Sequence, residues 1–232
     1  MKFKKAFTLA EVLITLSIIA IIAILTVPAL VKNYKNKLYA ASIEKVYSQL
    51  TDAVQSVVND EMATSFSKTT AGVQTPEGST CENAEAGVCW FMRNYLKVAN
   101  GMVDCTSAKK NTTNGTNKKV CVADSYYTPD GNGPVVHFGE CVQTTNGATI
   151  CMSLNAENGV ISVFVDTNGP SQPNMTGIDV FIMDINGSNN SVVDWSNNPA
   201  TCNTAQNAYS HIGKYAPGCL TKIMNAGWKI ED

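Results

Sequence analysis

Charge is scarce in this chain. Only 16% of its 232 residues are Asp, Glu, Lys or Arg, against about 25% in an ordinary soluble domain. Arginine occurs once, at Arg93, and the formal net charge is −2. A nucleic-acid binder normally carries a basic face, so this balance argues against one. Histidine is almost missing: His137 and His211 are the only two, too isolated to make a catalytic dyad. No G-x-S-x-G, no phosphate-binding glycine loop and no C-x-x-C pair occurs. A zinc finger needs closely spaced Cys and His pairs, so that class is excluded as well.

One absence is local. Residues 12–31 hold twenty consecutive positions without a charge. As a helix that run spans roughly 30 Å, the thickness of a bilayer's hydrocarbon core, which argues against a purely cytosolic chain. A secretory signal has a shorter apolar core followed by a small-x-small cleavage site, and neither condition is met. Lysines do not orient the span: Lys2, Lys4 and Lys5 before it oppose Lys32, Lys35 and Lys37 after it. Cysteines do. All eight (Cys81, Cys89, Cys105, Cys121, Cys141, Cys151, Cys202 and Cys219) lie downstream. An even set confined to that part reads as a disulfide framework in an oxidising compartment.

Along the chain, residues 7–31 form an apolar stretch interrupted by Glu11, and residues 32–62 turn amphipathic. Ile43, Val46, Tyr47, Leu50, Val54, Val57 and Val58 recur at three- and four-residue steps, which is helical spacing. No Gly or Pro falls between Pro28 and Gly72. The pattern predicts one helix of some fifty residues, with a bend or local loosening at Pro28. Residues 63–80 read as a loop, 88–98 as a short buried helix, and 105–121 as an exposed polar excursion. Residues 135–154 predict a hairpin around Asn146-Gly147. Further strands fall at 160–166, 179–185 and 191–195, with a short helix before Gly227. A two-residue Asn146-Gly147 turn would set Cys141 opposite Met152. A three-residue loop ending at Gly147 sets it opposite Cys151 and predicts a Cys141–Cys151 bridge. Proximity alone predicts Cys81–Cys89, Cys105–Cys121 and Cys202–Cys219.

The most specific motif is Lys4-Lys5-Ala6-Phe7-Thr8-Leu9-Ala10-Glu11-Val12-Leu13. A basic leader, a small residue, then F-T-L-x-E opening a long apolar run closely resembles the N-terminus of type IV pilins and type II secretion pseudopilins. The resemblance covers residues 1 to about 60. It implies that a prepilin peptidase cuts between Ala6 and Phe7, where Ala6 stands in place of the usual Gly, and that the new amine of Phe7 is methylated. It implies the division 1–6 leader, 7–31 membrane-spanning stem, 32–62 amphipathic stem and 63–232 extracytoplasmic head. It also implies an α+β pilin-like fold, a long helix packed on a small antiparallel sheet. The expected partners are other subunits, the prepilin peptidase, the assembly machinery and the bacterial inner membrane, before passage into a periplasmic or cell-surface filament.

An ionisable residue inside a spanning segment usually marks function or a partner. Glu11 has two readings: it pairs with the Phe7 amine of a neighbouring subunit, or it only snorkels to the interface. In the head, residues 164–181 resemble an inter-strand loop that binds calcium in certain major pseudopilins. Asp166, Asn168 and Asp179 are oxygen ligands suited to a hard cation, although Asp and Asn before Gly are also ordinary turn formers. No other cofactor is expected. The reading is a structural filament subunit, not an enzyme. Two alternatives stay open: a minor filament subunit whose head is an adhesin or receptor, and a membrane-anchored extracytoplasmic enzyme.

Overall fold

The computed structural model describes residues 8–103, 106–107, 120–131, 139–155, 159–203, 206–207 and 214–230. Its first element, α1 (Leu9–Asp60), is a single 52-residue helix, roughly 78 Å long at 1.5 Å per residue. It runs unbroken through Pro28, so the donor lost there does not end the helix. It is long and apolar enough to cross a membrane, and its most apolar stretch is not buried in the head. No residue from Leu9 to Leu38 is buried; Ala40 and Ile43 are the first that are. From there Ile43, Val46, Leu50, Val54 and Val57 all fall to 0% exposure. Steps of three and four put them on one face. Burying a leucine such as Leu50 contributes about 1.5–3 kcal/mol. The second half of α1 is therefore held by the head, and the first half is not.

Two 3₁₀ turns (Phe66–Lys68 and Thr70–Gly72) lie in the segment expected as loop. Phe66 meets Phe91 edge-on, with ring centroids 5.2 Å apart. Phe91 lies on α2 (Gly87–Tyr95). The guanidinium of Arg93 donates to the carbonyls of Cys81, Glu82 and Ala84, so the chain's one arginine ties down a loop.

The strands follow as β1 (Val98–Val103), β2 (Thr106–Ser107), β3 (Val120–Val122), β4 (Glu140–Thr144), β5 (Thr149–Asn155), β6 (Val160–Asp166), β7 (Val180–Asn186) and β8 (Ser191–Asp194). After a 3₁₀ turn (Pro199–Asn203) come β9 (Gln206–Asn207), β10 (Lys214–Tyr215) and α3 (Cys219–Asn225). Six of the strands form one antiparallel sheet in the order β1-β4-β5-β6-β7-β8. Two small pairs, β2 with β3 and β9 with β10, lie apart from it. β1 lies outside the strands expected from sequence, and its Asn100-Gly101 is poor strand material. The expected hairpin start at Val135 lies outside the described residues, as do His137 and His211.

Alternation along the strands gives the sheet two apolar faces. Val142, Ile150, Met152, Ile161, Val163, Phe181 and Met183 join the buried face of α1 in one core. Cys141, Cys151, Phe164, Val180 and Ile182 point the other way. There Cys121, Val122, Ala123 and Tyr126 cover them in a second, smaller core. Burial on both faces explains why β6 and β7 read as nearly continuous apolar runs.

Candidate functional site

Thr8 is the N-cap of α1 and has extended backbone. Its hydroxyl accepts from the Glu11 N–H at 3.2 Å. The Glu11 carboxylate in turn accepts from the Thr8 N–H and hydroxyl, each at 2.8 Å. This is a reciprocal capping box: two donors at the helix start find partners within four residues. Glu11 thus has a local structural task in the single chain, beside subunit pairing or snorkelling. Ala6 and Phe7, the expected cleavage and methylation positions, lie outside the described residues.

The second candidate lies where β6 ends and β7 begins. Asp166 and Asp179 are both 0% exposed, and the Thr167 N–H donates to the Asp179 carbonyl at 2.8 Å, closing the base of the loop between them. One Asp166 oxygen accepts from the Asn168 N–H at 3.2 Å, the other from the Tyr126 hydroxyl at 3.1 Å. The Asp179 oxygens accept from the N–H groups of Asn174 at 2.8 Å and Met175 at 2.7 Å. Burial, then the neighbouring Asp179 charge, pushes the Asp166 carboxyl up to about 8. Burial also raises that of Asp179. The buried Tyr126 hydroxyl is raised as well, by its burial first and Asp166 second.

Three buried oxygens in this loop find no hydrogen-bond partner among the described residues: Thr167 Oγ1, Asn168 Oδ1 and Asn174 Oδ1. Thr167 and Asn174 are 4% and 7% exposed, and buried polar atoms without partners are uncommon. The Asn168 side-chain amide donates to the Gln172 carbonyl at 3.2 Å, so its orphaned oxygen belongs to a group held within the same loop. The donor set is all oxygen, with two formal negative charges and three neutral acceptors. A carboxylate has about four lone-pair sites, so each keeps capacity beyond its present bonds. These residues fit a calcium ion, which takes 6–8 oxygen ligands.

Asp166, Asn168 and Asp179 were visible as oxygen donors in sequence; Thr167, Asn174, Tyr126 and Tyr39 were not identified. Tyr39 had a signal, since it lies four residues before Ile43, on the face that α1 buries. Tyr126 had none, because only the fold brings it to Asp166.

The cysteines pair locally. Cys81 bonds Cys89, Cys141 bonds Cys151, and Cys202 bonds Cys219. Cys105, the expected partner of Cys121, lies outside the described residues. In the hairpin, Cys141 stands directly opposite Cys151 and Gln143 opposite Thr149. That register leaves a three-residue connection with Gly147 at φ 90°, a left-handed position that favours glycine. The Cys202–Cys219 bridge abuts the acid loop. A Cβ on Gly177 would stand 2.9 Å from the Cys219 sulfur and 3.1 Å from that of Cys202. One further cluster, Cys81, Cys89 and Glu140, has metal-like spacing, but its two sulfurs are bonded to each other.

Residues 1–27 match the family model of the prokaryotic N-terminal methylation motif. No curated protein and no solved structure matches the chain. On a pilin-like α+β architecture, the chain therefore carries the N-terminal methylation motif that is the signature of type IV pilins and pseudopilins.

Proposed function

We propose that the chain is a structural subunit of a type IV pilus or type II secretion pseudopilus, cut by prepilin peptidase after Ala6 and assembled through α1. The observation that carries this reading is the pairing of the methylation motif with a helix whose first thirty residues, Leu9 to Leu38, leave the head entirely. Leu9, Ile24 and Leu25 are 80%, 72% and 73% exposed, more apolar surface than a soluble domain tolerates. A bilayer covers it before assembly, and neighbouring stems cover it afterwards. Lipid tails are as apolar as leucine, so leaving the bilayer brings little hydrophobic gain; close packing and specific polar contacts must drive the exchange. Glu11 supplies such a contact by pairing with the methylated amine of Phe7 on an adjacent subunit. In this reading residues 1–6 are the leader, 7–31 the membrane-spanning stem, 32–62 the amphipathic stem and 63–232 the extracytoplasmic head.

The head binds calcium in the loop from Asp166 to Asp179. Asp166 and Asp179 supply charge, and Thr167, Asn168 and Asn174 supply neutral oxygens. Bound there, the ion's chemistry is charge neutralisation. The support is the set of orphaned oxygens around two buried carboxylates.

Electron microscopy of cells with and without the protein tests the filament role. Deletion should remove or shorten one class of filament, and restoring the gene should bring it back. Identical filament populations and unchanged protein secretion in the two strains would refute it.

A further inference from the structure

Between the apolar run and the head lies a stretch of α1 that belongs to neither. The run ends at Val31, and Ala40 is the first buried residue of the helix. Nine residues of helix separate them, about 13 Å at 1.5 Å per residue. The stretch carries Lys32, Lys35 and Lys37, all exposed, with Tyr34 63% exposed among them. Between Glu11 and Glu44 these three lysines are the only charged residues. Among the described residues, neither Lys35 nor Lys37 forms an ion pair.

The arrangement of the charges says what kind of partner fits. Successive residues of an α-helix turn by about 100°. Lys35 and Lys37 therefore project about 200° apart, on nearly opposite sides, and Lys32 lies about 60° from Lys35. A single flat protein surface meets one side of a helix, whereas a layer of headgroups meets all of them. The depth agrees. Headgroups add about 5–8 Å to each side of a bilayer's hydrocarbon core. With Val31 at the edge of that core, Lys32, Lys35 and Lys37 stand about 1.5, 6 and 9 Å beyond it, within the layer or at its outer surface. There a compact ammonium on a flexible four-carbon stem reaches a phosphate. Tyrosine, as at Tyr34, is enriched at the same level. The head begins at about 13 Å, just clear of the layer. Lysines beyond the span on the head's side also run against the usual bias, which concentrates them on the cytoplasmic side.

We propose that residues 32–37 are a collar that binds anionic phospholipid headgroups of the outer leaflet and holds the unassembled subunit with its head just above the membrane surface. This rests on the membrane reading of the stem and adds the lipid class that the stem selects. An anionic headgroup gains the full attraction of the ammonium groups. A zwitterionic one carries its own cation beside the phosphate and gains much less. Anionic lipid thus opposes withdrawal of the stem, and a subunit entering a filament must exchange these contacts for others.

The test uses the full-length chain in bilayers of phosphatidylcholine, with a trace of spin-labelled phosphatidylglycerol or of spin-labelled phosphatidylcholine. The readout is the fraction of each label immobilised at the protein, and the ratio of the two is the lipid selectivity. Phosphatidylglycerol should be preferred, and the preference should fall in 1 M salt, where charges are screened beyond about 3 Å. The double variant Lys35→Gln, Lys37→Gln should lower the ratio, by up to roughly fivefold for each lysine removed. Lys35→Arg, Lys37→Arg should keep it. Lys45→Gln should leave it unchanged, since that exposed lysine stands about 21 Å beyond Val31. Lys2, Lys4 and Lys5 are common to all these chains, so their contribution cancels in the comparison. A ratio unchanged in the glutamine double variant would overturn the collar and leave the membrane reading standing. If that variant instead self-associates less in the same bilayers at unchanged selectivity, the lysines belong to a second copy of the chain and the collar is equally overturned. A chain that immobilises neither lipid would remove the membrane reading together with the collar.

Discussion

Replacing Glu11 with Gln should lower incorporation into filaments roughly tenfold or more, in line with the effect of losing one member of a buried charge pair at an interface. Glu11→Ala should do the same. The two variants separate two roles. Alanine removes both the charge and the capping box that the Glu11 carboxylate makes with Thr8. Glutamine keeps an oxygen that closes the box, since Gln serves as well as Glu at that position, and loses only the charge. Membrane insertion should persist in both, because each removes a charge from an apolar run. Cleavage should persist too, four residues upstream. The readout is the ratio of filament-associated to membrane-associated protein. Normal incorporation of Glu11→Gln with a defect in Glu11→Ala would reduce Glu11 to a helix cap. Normal incorporation of both would leave it a snorkelling residue.

Calcium should raise the melting temperature of the full-length chain in micelles, and the shift should depend on pH. A ligand present at a hundredfold excess over its Kd stabilises the native state by about 2.7 kcal/mol, which for a chain of this size is roughly 5–10 °C. Without the ion, Asp166 holds its proton more tightly in the folded state, with its carboxyl raised from 3.8 to about 8. The folded state then binds more protons than the unfolded state across that window. Stability is accordingly greatest below it, falls as pH climbs through it, and levels off above about 8. The other titratable groups described at this place, Asp179 in the loop, Tyr126 in hydrogen-bond contact with Asp166, and Tyr39 from α1, are all raised as well. None supplies a compensating cation. Calcium competes with the proton, so its stabilisation should be small near pH 4 and full above pH 8. Asp179→Asn should abolish most of the calcium response. A melting temperature indifferent to millimolar calcium at pH 8 would remove the ion from this loop.

The stem was the most legible part of the chain. Twenty positions without charge, then apolar residues at helical steps from Ile43 to Val58, are periodic signals that tertiary context reinforces. The hairpin register was legible as well, because cysteine geometry and a glycine requirement agreed on one loop length. The second layer was not. Cys121 to Tyr126 cover the far face of the sheet through contacts with residues twenty to sixty positions later, and no local pattern announces that. The acid loop was half legible for the same reason. Asp166, Asn168 and Asp179 stand out as oxygen donors, yet the burial of both aspartates and the tie of the neighbouring Thr167 carbonyl to Ser42 exist only once the chain is folded. The capping box was legible too, since Thr8 and Glu11 have its three-residue spacing.

In the proposed function this chain is processed at its N-terminus and built into a filament through α1. Mass spectrometry of the N-terminal peptide from sheared filaments tests that most directly. The predicted result is a mature chain beginning at Phe7 with a methylated amine and an intact Glu11. A filament-free chain beginning at Met1, or one whose mature N-terminus lies beyond residue 28, would contradict it.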